Sequence, residues 1–197
     1  MQRKGSKMKI DILIAGVGGQ GILSLAYVLN NAAMAAGYYF KQTEVHGMSQ
    51  RGGAVVSHVR ISDEPVYSNM IPLGKADIIV GVEPLESLRY ISFLKPEGQI
   101  ITNSEPFVNI PNYPEMEEVK KAIAQYKNVI FDATGLAKKA GSPYAQNIVL
   151  LGALSHFLPF DTEMIKKLVA DLFAAKGEKM VNLNTQAYEY GREAINA

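Results

Sequence analysis

Short apolar runs that end at glycine or polar turns dominate the first two thirds of the chain, whereas the last third shows helical spacing. The β-branched run over residues 9–15 predicts a buried strand, because it stops abruptly at Gly16. Apolar residues at helical spacing then predict a helix over 22–36, with Gly37 at the position of a C-terminal cap. The chain therefore opens with a strand, a glycine-rich turn and a helix.

Two further strands are predicted over residues 38–45 and 54–62, joined by a polar, glycine-rich loop. This loop is too short to hold a helical crossover, so the two strands should run antiparallel if they pair. A plain Rossmann unit would place a helix after the second strand. The loop is thus a departure from that pattern.

The remaining pattern predicts an alternation of strands and helices around one surface excursion at residues 107–114. Strands are predicted over 76–82, 99–102 and 129–132, and helices over 84–94, 115–126, 134–140, 144–157, 163–175 and 178–197. We therefore expect a single α/β domain over 1–197, within which residues 1–8 form a flexible N-terminal extension. It should be three-layered and Rossmann-like, with a mostly parallel sheet, one antiparallel strand pair and a helical C-terminal third.

Composition excludes several classes of function. The net charge of the 197 residues is +1, so no overall field would recruit nucleic acid or an anionic membrane. No apolar run approaches the roughly 18–20 residues that a membrane span requires. The chain has no cysteine, which excludes disulfides and cysteine-ligated iron–sulfur clusters within it and is consistent with the cytoplasm.

The glycine turn, residues 16–21, is a candidate site for an anion. Glycines at its first, third and last positions allow a tight turn, close approach of a ligand to the backbone, and close packing of helix on strand. The backbone N–H groups and the positive end of the helix dipole would face a phosphate group. The candidate cofactor contacts are Gly16, Gly18, Gly19, Gln20 and Gly21. The alternative is a turn that serves packing alone.

The loop after the second strand carries the densest polar cluster of the chain. Its candidate active-site residues are Glu44, His46, Ser49, Gln50 and Arg51, followed by Gly52 and Gly53, which could let the backbone approach a cofactor. Arg51 is permanently charged and forks toward carboxylate or phosphate groups. Glu44 lies where an acid would bind ribose in an NAD enzyme, although an ion pair or an ordering role in the loop is the alternative.

Other polar residues have structural explanations. Glu83 and Glu86 are acids of a first helical turn, and Asp132 and Asn147 stand at element starts where they would act as caps. The three histidines lack metal-ligand spacing, so no metal site is predicted.

Three stretches together carry a family resemblance: the glycine turn, Glu-Val-His-Gly-Met-Ser-Gln-Arg-Gly-Gly at 44–53, and Ala-Asp-Ile-Ile-Val-Gly-Val-Glu-Pro-Leu-Glu at 76–86. Their succession resembles the gamma domain of the 2-oxoacid:ferredoxin oxidoreductases. The second stretch is most similar to the beta subunits of indolepyruvate ferredoxin oxidoreductases. The resemblance extends from Lys9 to about Arg192.

The resemblance implies a small, non-redox subunit. In that family a 2-oxo acid is decarboxylated on thiamine diphosphate, electrons pass through iron–sulfur clusters to ferredoxin, and the acyl group goes to coenzyme A. The thiamine and the clusters belong to a large alpha subunit, which would be this chain's partner. The glycine turn would face coenzyme A. An isolated chain could expose an apolar face and form a homodimer.

Two other functions stay open at this point. One is a self-sufficient NAD(P)-dependent Rossmann dehydrogenase, although no lysine–tyrosine or histidine–acid pair for catalysis is recognisable. The other is a scaffold subunit that binds no small molecule.

Overall fold

A six-stranded sheet forms the centre of the computed structural model, which describes residues 7–47 and 52–196. The strands are β1 (Lys9–Val17), β2 (Tyr39–His46), β3 (Ala54–Ser62), β4 (Ala76–Gly81), β5 (Leu94–Asn103) and β6 (Lys127–Phe131). Their order in the sheet is β2-β3-β1-β4-β5-β6. β1, β4, β5 and β6 pair in parallel, and β3 is antiparallel to both of its neighbours.

Helices cover both faces of the sheet. They are α1 (Ile22–Ala35), α2 (Pro84–Arg89), α3 (Met116–Ile123), α4 (Ala133–Ala140), α5 (Gln146–Leu154), α6 (Thr162–Phe173) and α7 (Glu178–Asn196). On one face Ile12 and Ile14 of β1 pack in a core with α1 and α4 to α7, and on the other Leu13 and Ala15 pack with α2 and α3. The alternation of side chains along β1 thus supplies both cores, and the predicted three-layer α/β fold is confirmed.

The predicted antiparallel pairing of β2 with β3 is also confirmed. Tyr39 lies opposite Ser62, and the register continues to the pair of His46 and Val55. β3 is inserted between β2 and β1, so that Ala54 pairs with Val17. The end of β2, the start of β3 and the end of β1 consequently meet at one edge of the sheet.

The prediction of one helix over 84–94 is wrong. α2 ends at Arg89, a 3-10 turn covers Ile91–Phe93, and β5 begins at Leu94. The β4–β5 pairing jumps from Ala76 opposite Leu94 to Ile78 opposite Gln99, so residues 95–98 bulge from the ladder. This bulge accommodates Pro96, which has no N–H to donate and would otherwise interrupt the pairing.

The predicted buried helix over 144–157 is present as α5, with 3-10 turns at Pro143–Ala145 and Ser155–Phe157. α5 and α7 approach very closely: a Cβ on Gly152 would lie 2.1 Å from the Tyr188 carbonyl oxygen, and one on Gly191 would lie 1.8 Å from that of Val149. Only glycine fits at these two positions. Within the described residues, every helix is too short or too polar to cross a bilayer.

Candidate functional site

A cleft of about 490 Å³ opens at the edge where β1 and β2 end and β3 begins. The glycine turn, the first turn of α1, the end of β2 and the start of β3 line this cleft. Its polar wall includes Gly18, Gly19, Gly21, His46 and Gly47. The antiparallel insertion of β3 therefore brings the two candidate motifs of the sequence to one place.

The first turn of α1 presents backbone donors without partners. Within the described residues, no acceptor bonds the N–H groups of Gly19, Gly21, Ile22, Leu23 and Ser24. Gly21 stands at the N-cap with φ 77° and supplies no side-chain cap, and the first turn of α1 holds no acid. Unpaired N–H groups and the positive end of the helix dipole thus border the cleft, which suits an anionic ligand.

Two of the predicted ligand contacts already have partners inside the chain. The Gln20 side chain accepts a hydrogen bond from the Val17 N–H at 2.8 Å, so it braces the turn. The Gly18 N–H donates to the Gly53 carbonyl oxygen at 2.9 Å. A Cβ on Gly16 would lie 2.8 Å from the Gln20 Oε1 and 3.2 Å from the Val82 Cβ, so Gly16 serves close packing.

Asn147 is a site residue that sequence reasoning assigns wrongly. The expected capping role is absent, because the N-cap of α5 is Ala145 and no side chain caps this helix. The Asn147 Nδ2 instead donates to the carbonyl oxygen of Gly21 at 3.0 Å, across 126 positions of the chain. No local pattern signals such a contact. Asp132, by contrast, caps α4 as predicted, through the Gly135 N–H.

The end of β2 carries a chain of polar contacts toward the cleft. Asn30 of α1 donates to Gln42, and Gln42 Nε2 donates to Glu44 Oε1 at 2.6 Å. The other Glu44 oxygen lies 3.2 Å from His46 Nε2. Glu44 thus makes an ion pair or hydrogen bond within its own strand, which is the kind of contact named as the alternative to ribose binding. His46 remains half exposed at the cleft.

The loop between β2 and β3 is described only at its two ends. Ser49, Gln50 and Arg51, three of the candidate active-site residues, lie outside the described residues. On the far side of the loop, Gly53 bonds the glycine turn, and the Gly52 carbonyl oxygen accepts a hydrogen bond from Asn109 Nδ2 at 2.8 Å. The loop end is therefore attached both to the glycine turn and to the irregular segment 104–115.

Glu83, at the end of β4, is the N-cap of α2, as the pattern predicts. It is buried, and its carboxylate accepts hydrogen bonds from the N–H of Glu86 at 2.9 Å, the N–H of Phe107 at 3.3 Å and the hydroxyl of Tyr113. Burial raises the pKa of the Glu83 carboxyl above its usual value although these bonds oppose the shift, and burial also raises the pKa of Tyr113. Glu83 ties segment 104–115 to α2.

The remaining histidines make structural contacts. His58 is buried, its Nδ1 accepts from the Ile71 N–H at 3.3 Å, and its ring meets the edge of Phe93. Burial, and secondarily the charge of Arg60, lowers the pKa of His58. His156 contacts the Arg192 carbonyl oxygen at 2.9 Å. Across the described ranges 7–47 and 52–196, no three acids or histidines cluster in a way that could hold a metal ion.

One relative matches nearly the whole chain. The indolepyruvate oxidoreductase subunit IorB of Pyrococcus horikoshii is 41% identical in an alignment of 195 positions that covers 93% of this chain and 95% of the relative.

Two solved structures share the fold. The gamma subunit of a keto/oxoacid ferredoxin oxidoreductase from Geobacter sulfurreducens is 26% identical, with a TM-score of 0.71 over 95% of this chain and 98% of that one. The 2-oxoglutarate:ferredoxin oxidoreductase of Magnetococcus marinus, with 2-oxoglutarate, coenzyme A and succinyl-CoA bound, is 22% identical; its TM-score is 0.76 over 97% of this chain and 32% of that one. Residues 11–194 match the pyruvate ferredoxin/flavodoxin oxidoreductase family, and the chain belongs to that family.

Proposed function

We propose that this chain is the small subunit of a 2-oxoacid:ferredoxin oxidoreductase that acts on an aryl pyruvate such as indolepyruvate. The observation that carries the proposal is the 41% identity, over almost the full length of both chains, to an indolepyruvate oxidoreductase subunit. Because the chain has no cysteine, it supplies no thiolate ligand for an iron–sulfur cluster. A larger partner subunit would hold the clusters and the thiamine diphosphate, and would pass electrons to ferredoxin.

The cleft at the glycine turn would hold the diphosphate of coenzyme A. Five N–H groups at the start of α1, which have no acceptor among residues 7–47 and 52–196, fit an anion with several acceptor oxygens, and no acid in that turn opposes it. Gly19 has no Cβ that would separate the backbone from the ligand, and the space beside it is open. When bound, coenzyme A would supply the thiol that accepts the acyl group. This chain would bind the cofactor, orient it, and hold the active-site edge against the partner.

Copurification tests the subunit assignment. The chain should be recovered from its native cells with a larger chain that carries iron–sulfur absorbance and thiamine diphosphate. The complex should reduce ferredoxin with indolepyruvate and phenylpyruvate, and omission of this chain should abolish that activity. Recovery of the chain alone, with NAD-dependent dehydrogenase activity, would contradict the proposal.

A charge placed at the glycine turn tests the cofactor assignment. Gly19 and Gly37 are both exposed glycines at positive φ, and a Cβ on either meets nothing within 4 Å. Gly19 lies at the start of α1 and Gly37 beyond its end, so Gly37→Asp is a matched control for Gly19→Asp. We expect Gly19→Asp to weaken coenzyme A binding by the complex at least about tenfold in calorimetry, through charge repulsion. Equal affinities of the two variants would contradict a coenzyme A site here.

A further inference from the structure

Asn147 connects the helical C-terminal third of the chain to the glycine turn. It is buried within α5, among apolar neighbours such as Ile148 and Val149. Its side-chain amide does not serve its own helix but donates to the carbonyl oxygen of Gly21. That oxygen also accepts the Leu25 N–H at 3.2 Å, the first hydrogen bond of α1. Two donors from different parts of the chain therefore fix the direction of one carbonyl group.

The direction of this carbonyl also sets the direction of a donor at the cleft. No described peptide bond is cis, and in a planar trans peptide the N–H points opposite to the C=O. The peptide that joins Gly21 to Ile22 therefore aims the Ile22 N–H away from Asn147. This N–H has no acceptor within the described residues, and Ile22 lines the cleft. By holding the oxygen on one side, Asn147 holds a ligand donor on the other.

The Asn147 side chain packs directly against Gly21. A Cβ on Gly21 would lie 2.5 Å from the Asn147 Nδ2 and 3.0 Å from its Cγ. Gly21 also adopts a left-handed conformation, with φ 77°. The amide thus fills the space that a side chain on Gly21 would need.

We propose that Asn147 is a positioning residue of the cofactor site: it orients the donors at the start of α1 for the diphosphate of a bound nucleotide cofactor. The inference rests on the proposed coenzyme A site. A purely structural clamp between α5 and α1 would affect only stability. A positioning residue must, in addition, change the affinity for the anion.

The test compares two buried asparagines. Asn184 of α7 is also buried, and its Nδ2 donates to the Met180 carbonyl oxygen at 2.8 Å within the same helix. Asn147→Ala and Asn184→Ala each remove one buried amide donor to a backbone carbonyl. In the reconstituted complex, we expect Asn147→Ala to raise KM for coenzyme A about tenfold with kcat within about twofold of the wild type. Asn184→Ala should leave both unchanged, with urea unfolding recording the stability loss of each.

Two further variants make every outcome decisive. If Asn147→Ala does not fold, Asn147→Leu keeps the branched shape without the donor, and we expect the same rise in KM. An unchanged KM in the Asn147 variant, while Gly19→Asp weakens coenzyme A binding, would overturn the positioning role alone. If Gly19→Asp also has no effect, the coenzyme A site itself fails, and the positioning role with it.

Discussion

Glycine makes two very different contacts in this molecule. Between α5 and α7, Gly152 and Gly191 allow backbone to meet backbone, and a Cβ at either position would fall within about 2 Å of a carbonyl oxygen. At the glycine turn, Gly19 faces open space, and within the described residues its own N–H, that of Gly21 and those of the first turn of α1 have no acceptor. The helix contact is a closed interior, whereas the turn is an open edge that can receive a ligand.

The difference shows that glycine alone does not indicate function. In both regions the absence of a side chain permits close approach to the backbone. Between α5 and α7 the neighbouring helix fills the free space, whereas at the glycine turn the space is part of the open cleft. Gly21 combines both situations, because it borders the cleft and yet packs on Asn147. What distinguishes a binding turn from a packing turn is the pairing of the neighbouring N–H groups.

The closed contact should be the more sensitive of the two to substitution. Gly191→Ala would place a Cβ 1.8 Å from the Val149 carbonyl oxygen, so α5 and α7 would have to separate. Overpacking of this kind usually lowers the free energy of unfolding by about 1–3 kcal/mol. Because the obstructing atom here belongs to the backbone and cannot rotate away, we expect a loss of about 3 kcal/mol or more for this variant. The free energy of unfolding in urea would measure the loss.

Gly135→Ala is the control for that variant. Its Cβ would also be crowded, at 2.1 Å from an Asp132 carboxylate oxygen, but the neighbour is a side chain that can rotate. Loss of the cap costs about 1 kcal/mol and is partly offset by the higher helix propensity of alanine. If Gly135→Ala destabilised the protein as much as Gly191→Ala, the distinction between closed backbone contact and ordinary crowding would be wrong.

An intermediate effect is expected at Gly21. Gly21→Ala brings left-handed strain of roughly 1–2 kcal/mol and displaces the Asn147 amide. Because Asn147→Ala removes the obstructing amide, the double variant should be more stable than the sum of the single losses predicts, by about 0.5–3 kcal/mol. A double-mutant cycle in urea would measure this coupling. Strict additivity would show that the two residues do not constrain each other.

The order of elements follows from the sequence, because most elements carry clear periodicity. Strand runs such as residues 9–15 stop at glycine, and the short connection before residue 54 leaves antiparallel pairing as the one geometry open to adjacent strands. The end of α2 cannot be predicted from the sequence in this way, because Ile91 and Leu94 continue the helical spacing although they lie in a 3-10 turn and in β5. Packing against β4 sets that boundary, and the local spacing of apolar residues does not indicate it.

The candidate site is predictable to a similar, partial extent. The glycine turn and the end of β2 are visible in the sequence, and the structure places Gly19, Gly21 and His46 on one cleft. The sequence does not show that the Gly18 N–H and the Gln20 side chain form hydrogen bonds within the chain, because the fold determines both partners. Asn147 is the clearest case: its partner lies 126 positions away, and its local context suggests a cap.

The smallest effect on stability should come from a change of pH. Such a change should alter the contribution of a titratable contact and leave that of a glycine contact unchanged. The buried His58 has a pKa below its usual value of 6.5, so the unfolded chain binds its proton first as pH falls. Stability from His58 is therefore complete above pH 6.5 and is lost below it. His58→Asn keeps an acceptor for the Ile71 N–H, and its stability deficit relative to the wild type should shrink from pH 7.5 to pH 5.5. The deficit of Gly191→Ala should not change, because no titratable group takes part.

The bond between Asn147 and Gly21 also has a consequence for synthesis on the ribosome. The glycine turn emerges early, but its brace follows 126 residues later, which at ~5–20 residues per second is a delay of about 6–25 s. A nascent chain can pair β1 with β3 and β4 before that time, but its Gly21 carbonyl group still lacks the second donor, which Asn147 supplies. The cleft therefore has all of its supporting contacts only in a chain that has been translated through α5, and a product truncated before α5 would lack the Asn147 bond.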